Sequence, residues 1–111
     1  SDVDYEDPML PQVKTAPVEV VEGYEPLAMV LRAALDQAQH GKGKDRHANG
    51  KPFDRQPLLE IGRMVGQGYP LGQAMKKAQE SMRLPRDRAK AELLGAINYL
   101  AAAYLLLDDT P

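Results

Sequence analysis

The chain contains no cysteine and no tryptophan, and it has a single phenylalanine, Phe53. The lack of cysteine excludes disulfide bonds and thiolate metal sites, and it fits a reducing cytoplasm. The scarcity of large aromatic side chains means that leucine, alanine, valine, isoleucine and methionine must form the core. With 111 residues, 43% of them hydrophobic, the chain is long enough for one domain with a modest core.

Long apolar runs are also scarce. The longest stretch without a charged residue spans 93–107, which is shorter than the ~20 residues that a membrane-spanning helix needs. The beginning of the chain is acidic and lacks the basic and apolar regions of a signal peptide. We therefore expect a soluble cytoplasmic protein with no membrane partner.

The net charge of −2 conceals a strong asymmetry along the chain. Residues 1–25 carry seven acids and one lysine, a balance of −6, whereas residues 41–90 carry twelve bases and five acids, a balance of +7. Residues 1–23 are acidic, contain three prolines and show no helical period, so we predict an extended acidic arm, or a short strand around Val20, followed by a helical domain over 24–111. We expect Asp2, Asp4, Glu6 and Asp7 to lie near basic residues of the body. Anchoring of the arm is predicted for four valines: Val13, Val18, Val20 and Val21.

Apolar residues recur at helical spacing through the rest of the chain, which predicts an all-α fold, a compact bundle of about four helices. Prolines suit first-turn positions, and glycine or a following proline suits the ends. The predicted helices cover Pro26–His40, Pro57–Val65, Leu71–Leu84 and Pro85–Leu107. His40 and Gly41 suit the end of the first helix, and residues 66–70 are predicted to end the second. The apolar residues predicted to form the buried faces are Leu27, Val30, Leu31, Ala34, Leu35 and Ala38 on the first helix, and Leu71, Ala74, Met75, Ala78 and Met82 on the third.

The last of these helices is apolar on more than one side, and a helix of that kind has to be surrounded. Three short helices cover it only in part, so we predict that Leu93–Leu107 lies at a subunit interface of a homo-oligomer. The alternative is that it forms the centre of a monomeric bundle. Its one polar residue in the middle, Asn98, is interpreted as a core amide bonded to a neighbouring helix, or as a residue that fixes register at a subunit contact.

The segment from His40 to Pro57 is the strongest functional signal in the chain. It holds five Lys/Arg, two histidines and three glycines in eighteen residues, whereas a helix connection usually needs only 2–8 residues. Glycines let backbone N–H groups turn toward an anion, and guanidinium groups suit phosphate. We predict an anion-binding loop, with a solvated charged linker as the alternative. The candidate ligands are Lys42, Lys44, Arg46, His47, Lys51 and Arg55.

A second set of polar residues lies on and just before the third helix, where the first-turn N–H groups also favour an anion. It extends the predicted site, and an ordinary solvent-exposed face is the alternative. The set consists of Tyr69, Gln73, Lys76, Lys77 and Arg83.

No catalytic or metal-binding arrangement is recognisable, and we predict no cofactor. The two histidines have no cysteine or helical carboxylate partner. All-helical nucleotide pyrophosphohydrolases hold Mg²⁺ with carboxylates one helical turn apart, whereas Glu60, Glu80, Asp87 and Glu92 stand alone. An enzyme is therefore not expected, although a small helical nucleotide hydrolase is left open.

Three stretches together carry a resemblance to small helical proteins encoded in phage and prophage genomes: residues 46–57, residues 72–80 and residues 92–99. The resemblance implies a context, the host cell cytoplasm, in which such proteins antagonise host defence by sequestering a nucleotide signal or by blocking a defence protein. It implies no catalytic residue.

Three functional hypotheses follow from the sequence. The first is a non-enzymatic phage-type protein that captures a phosphate-bearing, nucleotide-like ligand. The second is an inhibitor that binds a host defence or nucleic-acid-processing protein. The third is a helix-turn-helix DNA binder, in which the third helix would enter the major groove.

Overall fold

A computed structural model of the protein describes residues 17–41 and 50–109. Every regular element within these two ranges is helical, so the all-α prediction is confirmed. The described ranges hold four α-helices; residues 41–56 separate the first two, the later connections are short, and 3₁₀ turns cover Phe53–Arg55 and Leu107–Asp109. The helices are α1 (Glu25–His40), α2 (Pro57–Val65), α3 (Gly68–Ser81) and α4 (Arg86–Leu106).

The predicted bounds of α3 need correction. The helix begins at Gly68 rather than Leu71 and ends at Ser81 rather than Leu84. Gly66 adopts a φ of 97°, a left-handed conformation that glycine tolerates, so the chain turns from α2 to α3 within two residues. Pro70 then falls in the first turn of α3, where its missing N–H leaves no helical bond unmade.

The core lies around the carboxyl-terminal half of α4, which contacts all three other helices. Leu59, Ala102 and Leu106 are buried together there, and Phe53, Leu58 and Leu105 pack against them. Arg63 links α2 to the end of the described chain. Its guanidinium pairs with Glu60, and its Nε lies 2.8 Å from Asp109 Oδ2. The other buried hydrophobic residues are all alanines: Ala34, Ala74, Ala96 and Ala103.

The apolar faces expected to point inward are mostly exposed. We call six residues the α1 stripe, of which only Ala34 is buried. On α3 the predicted apolar set also has a single buried member, Ala74, whereas Met75 and Met82 are exposed by 72% and 85%. Close approach of the helices at small residues leaves the larger ones at the edges of the contacts. The α1 stripe consists of Leu27, Val30, Leu31, Ala34, Leu35 and Ala38.

The amino-terminal arm is described only from residue 17. The predicted ionic contacts of Asp2, Asp4, Glu6 and Asp7, and the anchor Val13, lie outside the described residues. The other three predicted anchors do not pack within the subunit, because Val18, Val20 and Val21 are all exposed. They belong neither to a helix nor to a strand.

One stretch of the described chain, Arg86–Asp109, has the length and mean hydropathy (1.3) of a membrane-crossing helix. The uncharged run 93–107 is shorter than this stretch, because it does not include the charged first turns of α4. The core helix of a bundle has the same two properties, and α4 packs against α1, α2 and α3.

Candidate functional site

An open groove lies between α1 and α4, and we call it the α1–α4 groove. It has a volume of about 1070 Å³, at the upper end of the range for small-molecule sites. Its walls are largely apolar, with Leu31 and Leu35 from α1 and Leu100 and Tyr104 from α4 all partly exposed to it. Phe53 contributes from the 3₁₀ turn before α2.

Two side-chain hydrogen bonds hold α1 against α4 and so form the groove. Asn98 Nδ2 donates to the carbonyl oxygen of Ala34 over 3.0 Å, and Gln37 Nε2 donates to that of Ala91 over 3.1 Å. The first bond confirms the interpretation of Asn98 as an amide bonded to a neighbouring helix. Asn98 also lines the groove, so the same side chain links the two helices that form its walls.

The polar groups of the groove include residues at the end of α1 and in the segment that leads into α2. His40, Gly50 and Lys51 line it there. Gly50 has a φ of 76°, and Gln56 Nε2 donates to the carbonyl oxygen of Lys51 over 2.8 Å. The backbone that presents Lys51 is therefore braced, while its side chain stays exposed.

The basic residues Lys42, Lys44, Arg46 and His47 lie outside the described residues. Their role in anion binding stays a prediction from the sequence. His40 and Gly50, which lie close to the two ends of this segment in the sequence, both line the groove.

The α3 residues of the predicted site lie elsewhere. Lys77 is half-buried against α4, with its Nζ 3.7 Å from Glu92 Oε1 and 6.0 Å from the ring centre of Tyr99. Its aliphatic stem covers Gly95, where an added Cβ would lie 3.0 Å from Lys77 Cδ. Lys77 therefore belongs to the α3–α4 contact rather than to an open face, and Gln73 is also partly buried.

Tyr69 packs edge-on against Tyr99, with ring centres 6.1 Å apart and an interplanar angle of 80°. Burial raises the pKa of Tyr99 to about 12, and the hydrogen bond and electrostatic interaction with Tyr69 act in the same direction. Tyr69 thus lies within the first turn of α3 rather than just before the helix, and its ring has a partner in its own subunit.

Arg83 lines a separate cleft of about 170 Å³ together with Arg88, Glu80 and Glu92. The acids in that cleft balance the bases, so it has no strong preference for an anion. Lys76 and Arg55 are exposed and line neither cavity. Of the seven described residues in the predicted site, Lys51 alone lines the α1–α4 groove, and the α3 set is not brought to it.

Several groove residues were not expected from the sequence. His40 had been read as a helix stop and Asn98 as a core amide, while Gln39 and Gln56 had no assigned role. Nothing local marks them, because the groove depends on contacts between residues 34 and 98 and between 37 and 91. The exposed leucines of α1 were expected to be core.

No group of three or more carboxylate, histidine or cysteine side chains that could hold a metal ion occurs in the described ranges. Two of the acids that the sequence showed as isolated are paired with cations. Glu60 bonds Arg63, and Glu92 lies beside Lys77.

Searches for similar proteins add no family to this description. The chain matches no family model, no curated protein and no solved structure.

Proposed function

We propose that this protein is a non-enzymatic, cytoplasmic binding protein that captures a phosphate-bearing, nucleotide-like ligand in the α1–α4 groove. The observation that carries the proposal is the combination of a large apolar groove with Lys51 and His40 on its lining, at the two ends of the most basic segment of the chain. From the resemblance to phage proteins, we further propose that capture sequesters a nucleotide signal and so antagonises host defence.

The walls of the groove suit a nucleobase. A base has apolar faces and polar edges, and its stacking on an aromatic side chain contributes about 1–3 kcal/mol. Tyr104 and Phe53 are the aromatic residues of the lining, and the amides of Asn98 and Gln56 stand among the apolar side chains. Such a lining, mostly apolar with a few polar groups, is typical of small-molecule sites.

The charge of the connecting segment suits phosphate. Residues 42–49 carry three bases and one acid, with His47 in addition, and Lys51 follows directly. A hydrogen bond to a charged group contributes about 1.5–3 kcal/mol. Phosphates at this end of the groove would therefore add affinity that falls as the salt concentration rises.

Calorimetric titration with a panel of linear and cyclic nucleotides tests the proposal. We expect at least one of them to bind, with an affinity that weakens between low and physiological salt. Tyr104→Ala and Lys51→Ala should each weaken binding roughly tenfold or more, equivalent to about 1.4 kcal/mol.

Two matched variants serve as controls. Tyr24→Ala removes a ring that is somewhat more exposed than that of Tyr104, and Lys76→Ala removes an exposed lysine, both outside the groove. Neither should change the affinity. Absence of binding across the panel at low salt would refute the proposal, and an equal loss in Lys76→Ala would place the anion at α3 instead.

A second candidate function, inhibition of a host protein, is favoured by the exposed apolar residues of α3. Leu71, Met75, Ala78 and Met82 recur at i, i+4, i+7 and i+11 and all are exposed. Methionine-rich surfaces of this kind adapt to protein partners. A host protein that binds the wild type and Lys51→Ala equally, but not Met82→Glu, would support this function over nucleotide capture.

DNA recognition through α2 and α3 has less support. The side chains that α3 would offer to DNA are Gln73, Lys76, Lys77 and Arg83. Gln73 is partly buried and Lys77 packs against α4, which leaves Lys76 and Arg83. Two free cations on one helix are fewer than a recognition helix uses, since three or four side chains normally reach the bases.

A further inference from the structure

The α1 stripe is a mismatch between the sequence pattern and the packing of the described chain, and it adjoins the α1–α4 groove. Its spacing is that of an amphipathic helix that buries one face, yet Leu27, Val30, Leu31 and Leu35 are between 38% and 56% exposed. Within the stripe only Ala34 is buried, and Ala38 is partly buried.

A small ligand does not resolve this mismatch. Leu31 and Leu35 line the α1–α4 groove, but Leu27 and Val30 do not. From Leu27 to Leu35 the stripe extends over about 12 Å of helix at 1.5 Å per residue. The exposed apolar surface therefore continues along α1 past the end of the groove.

We infer that a second copy of this chain packs against the α1 stripe and the adjoining Leu100 and Tyr104 of α4, forming a twofold dimer that closes the open side of the groove. Twofold pairing uses the same surface on both subunits. One contact then covers both stripes, whereas a head-to-tail contact would leave one stripe exposed at each end of the assembly. The inference does not depend on the proposed ligand, since Leu27 and Val30 require cover in either case.

The area of the surface agrees with such a dimer. Six large side chains, each roughly half exposed, offer on the order of 300 Å² of apolar surface if a whole side chain contributes about 100 Å². A standard interface buries ~800 Å² per partner, of which a little over half is apolar. The patch therefore supplies most of the apolar share. The six residues are Leu27, Val30, Leu31, Leu35, Leu100 and Tyr104.

The composition of the core points the same way. Of the seven buried hydrophobic residues in the described ranges, five are alanines, and the two leucines, Leu59 of α2 and Leu106 of α4, lie together in one cluster. No residue of α1 belongs to that cluster or is among the residues that pack against it. A 16-residue helix depends on tertiary packing, and cover from a second copy would add to the contact that α1 makes with α4.

Molar mass in solution tests the inference. At micromolar concentration we expect twice the 12.2 kDa of the chain. Leu27→Glu should weaken dimerisation at least tenfold and return the mass to that of one chain, with the helical circular dichroism retained. Leu71→Glu changes a leucine of comparable exposure on α3 and should leave the dimer intact.

Disulfide trapping gives a second readout that does not depend on the effect of a buried charge. Because the chain has no cysteine, a single cysteine reports contacts without background. Leu31→Cys should form a covalent dimer under mild oxidation, and Met75→Cys should not. Trapping of both variants to the same extent would overturn the inference.

A mass of one chain for the wild type at high micromolar concentration would also overturn it. The stripe would then have another occupant, and the acidic residues 1–16 would be the first to test. If deletion of residues 1–16 converts a monomeric wild type into a dimer, that segment covers the stripe. If the deletion leaves a dimeric wild type unchanged, the second copy is confirmed as the occupant.

Discussion

Two glycines in helices, Gly62 and Gly72, provide a matched test of how tightly the core is packed. Replacing glycine by alanine within a helix stabilises it by roughly 1 kcal/mol when nothing obstructs the new methyl group. At Gly72 in α3, an added Cβ meets no atom within 4 Å. We therefore expect Gly72→Ala to raise the free energy of unfolding by about 0.5–1 kcal/mol.

At Gly62 in α2, the same methyl group would lie 2.7 Å from Leu106 Cδ2. The preferred separation of two carbon atoms is about 3.5–4.0 Å, so the leucine must move by about 1 Å. Leu106 is buried with Leu59 and Ala102 and has little room to do so. Overpacking of this kind costs about 1–3 kcal/mol, which outweighs the gain in helix propensity.

The free energies of unfolding of the two variants, measured by urea denaturation, should therefore differ by roughly 1–3 kcal/mol, with Gly62→Ala the less stable. In a thermal scan each kcal/mol corresponds to about 4–8 °C for a domain of this size. If Gly62→Ala were as stabilising as Gly72→Ala, the cluster around Leu106 would be loose, and the assignment of the core to this end of α4 would be refuted.

Three further predictions concern the core and the helix contacts. Leu59→Ala should lower the free energy of unfolding by about 2–5 kcal/mol, because Leu59 is only 1% exposed. As a control, Leu107→Ala replaces an exposed leucine and should change that free energy by less than about 0.5 kcal/mol. Equal effects of the two substitutions in urea denaturation would contradict the assignment of Leu59 to the core. Asn98→Ala removes the bond to the Ala34 carbonyl and should cost about 0.5–1.5 kcal/mol, with faster amide hydrogen exchange concentrated in α1; unchanged exchange there would contradict the role of this bond. Tyr99 has a pKa of about 12 in the folded chain against 10.0 in the unfolded one, so its contribution to stability is present below about pH 10 and is lost as the pH rises from 10 to 12. Tyrosinate absorbance should show one late-titrating group that disappears in Tyr99→Phe, and a titration curve that is the same for both proteins would refute the assignment.

The number of helices and most of their bounds follow from the sequence, because prolines and glycines punctuate the chain. Pro26, Pro57 and Pro85 each stand at or next to the start of a helix, as predicted. The exception is α3, where Pro70 was read as the end of a turn, although it lies within the first helical turn. A proline is compatible with a turn and with a first helical turn. In the structure Gly66 makes the turn in a left-handed conformation, so the helix begins before Pro70.

The face that each helix buries could not be predicted in the same way. Periodicity gives weight to large apolar residues, so it assigned Leu71, Met75 and Met82 to the inside of α3. The contact with α4 uses Ala74 and the stem of Lys77 instead, because the stem lies over Gly95. Long basic side chains cover apolar surface with their methylene groups while the charge reaches a partner, here Glu92.

The candidate site was predictable only where its chemistry is local. Lys51 belongs to a run of bases and glycines that is visible in the sequence, and it does line the groove. The groove itself depends on how α1 crosses α4, which is set by the bonds of Asn98 and Gln37 to carbonyl groups 64 and 54 residues away. No pattern over a short window contains that information.

The same distinction explains why the α1 stripe carries more weight than a scattered set of exposed leucines. Single exposed apolar residues are normal on a soluble protein, but a periodic stripe that continues into the wall of a groove is an ordered surface. The periodicity of the sequence indicates which face of the helix is apolar enough to be buried. The contacts within one subunit show which face is buried there. On α1 these two differ at Leu27, Val30, Leu31 and Leu35. The proposed dimer accounts for this difference, and measurements on Leu27, which lies outside the groove, separate dimerisation from ligand binding.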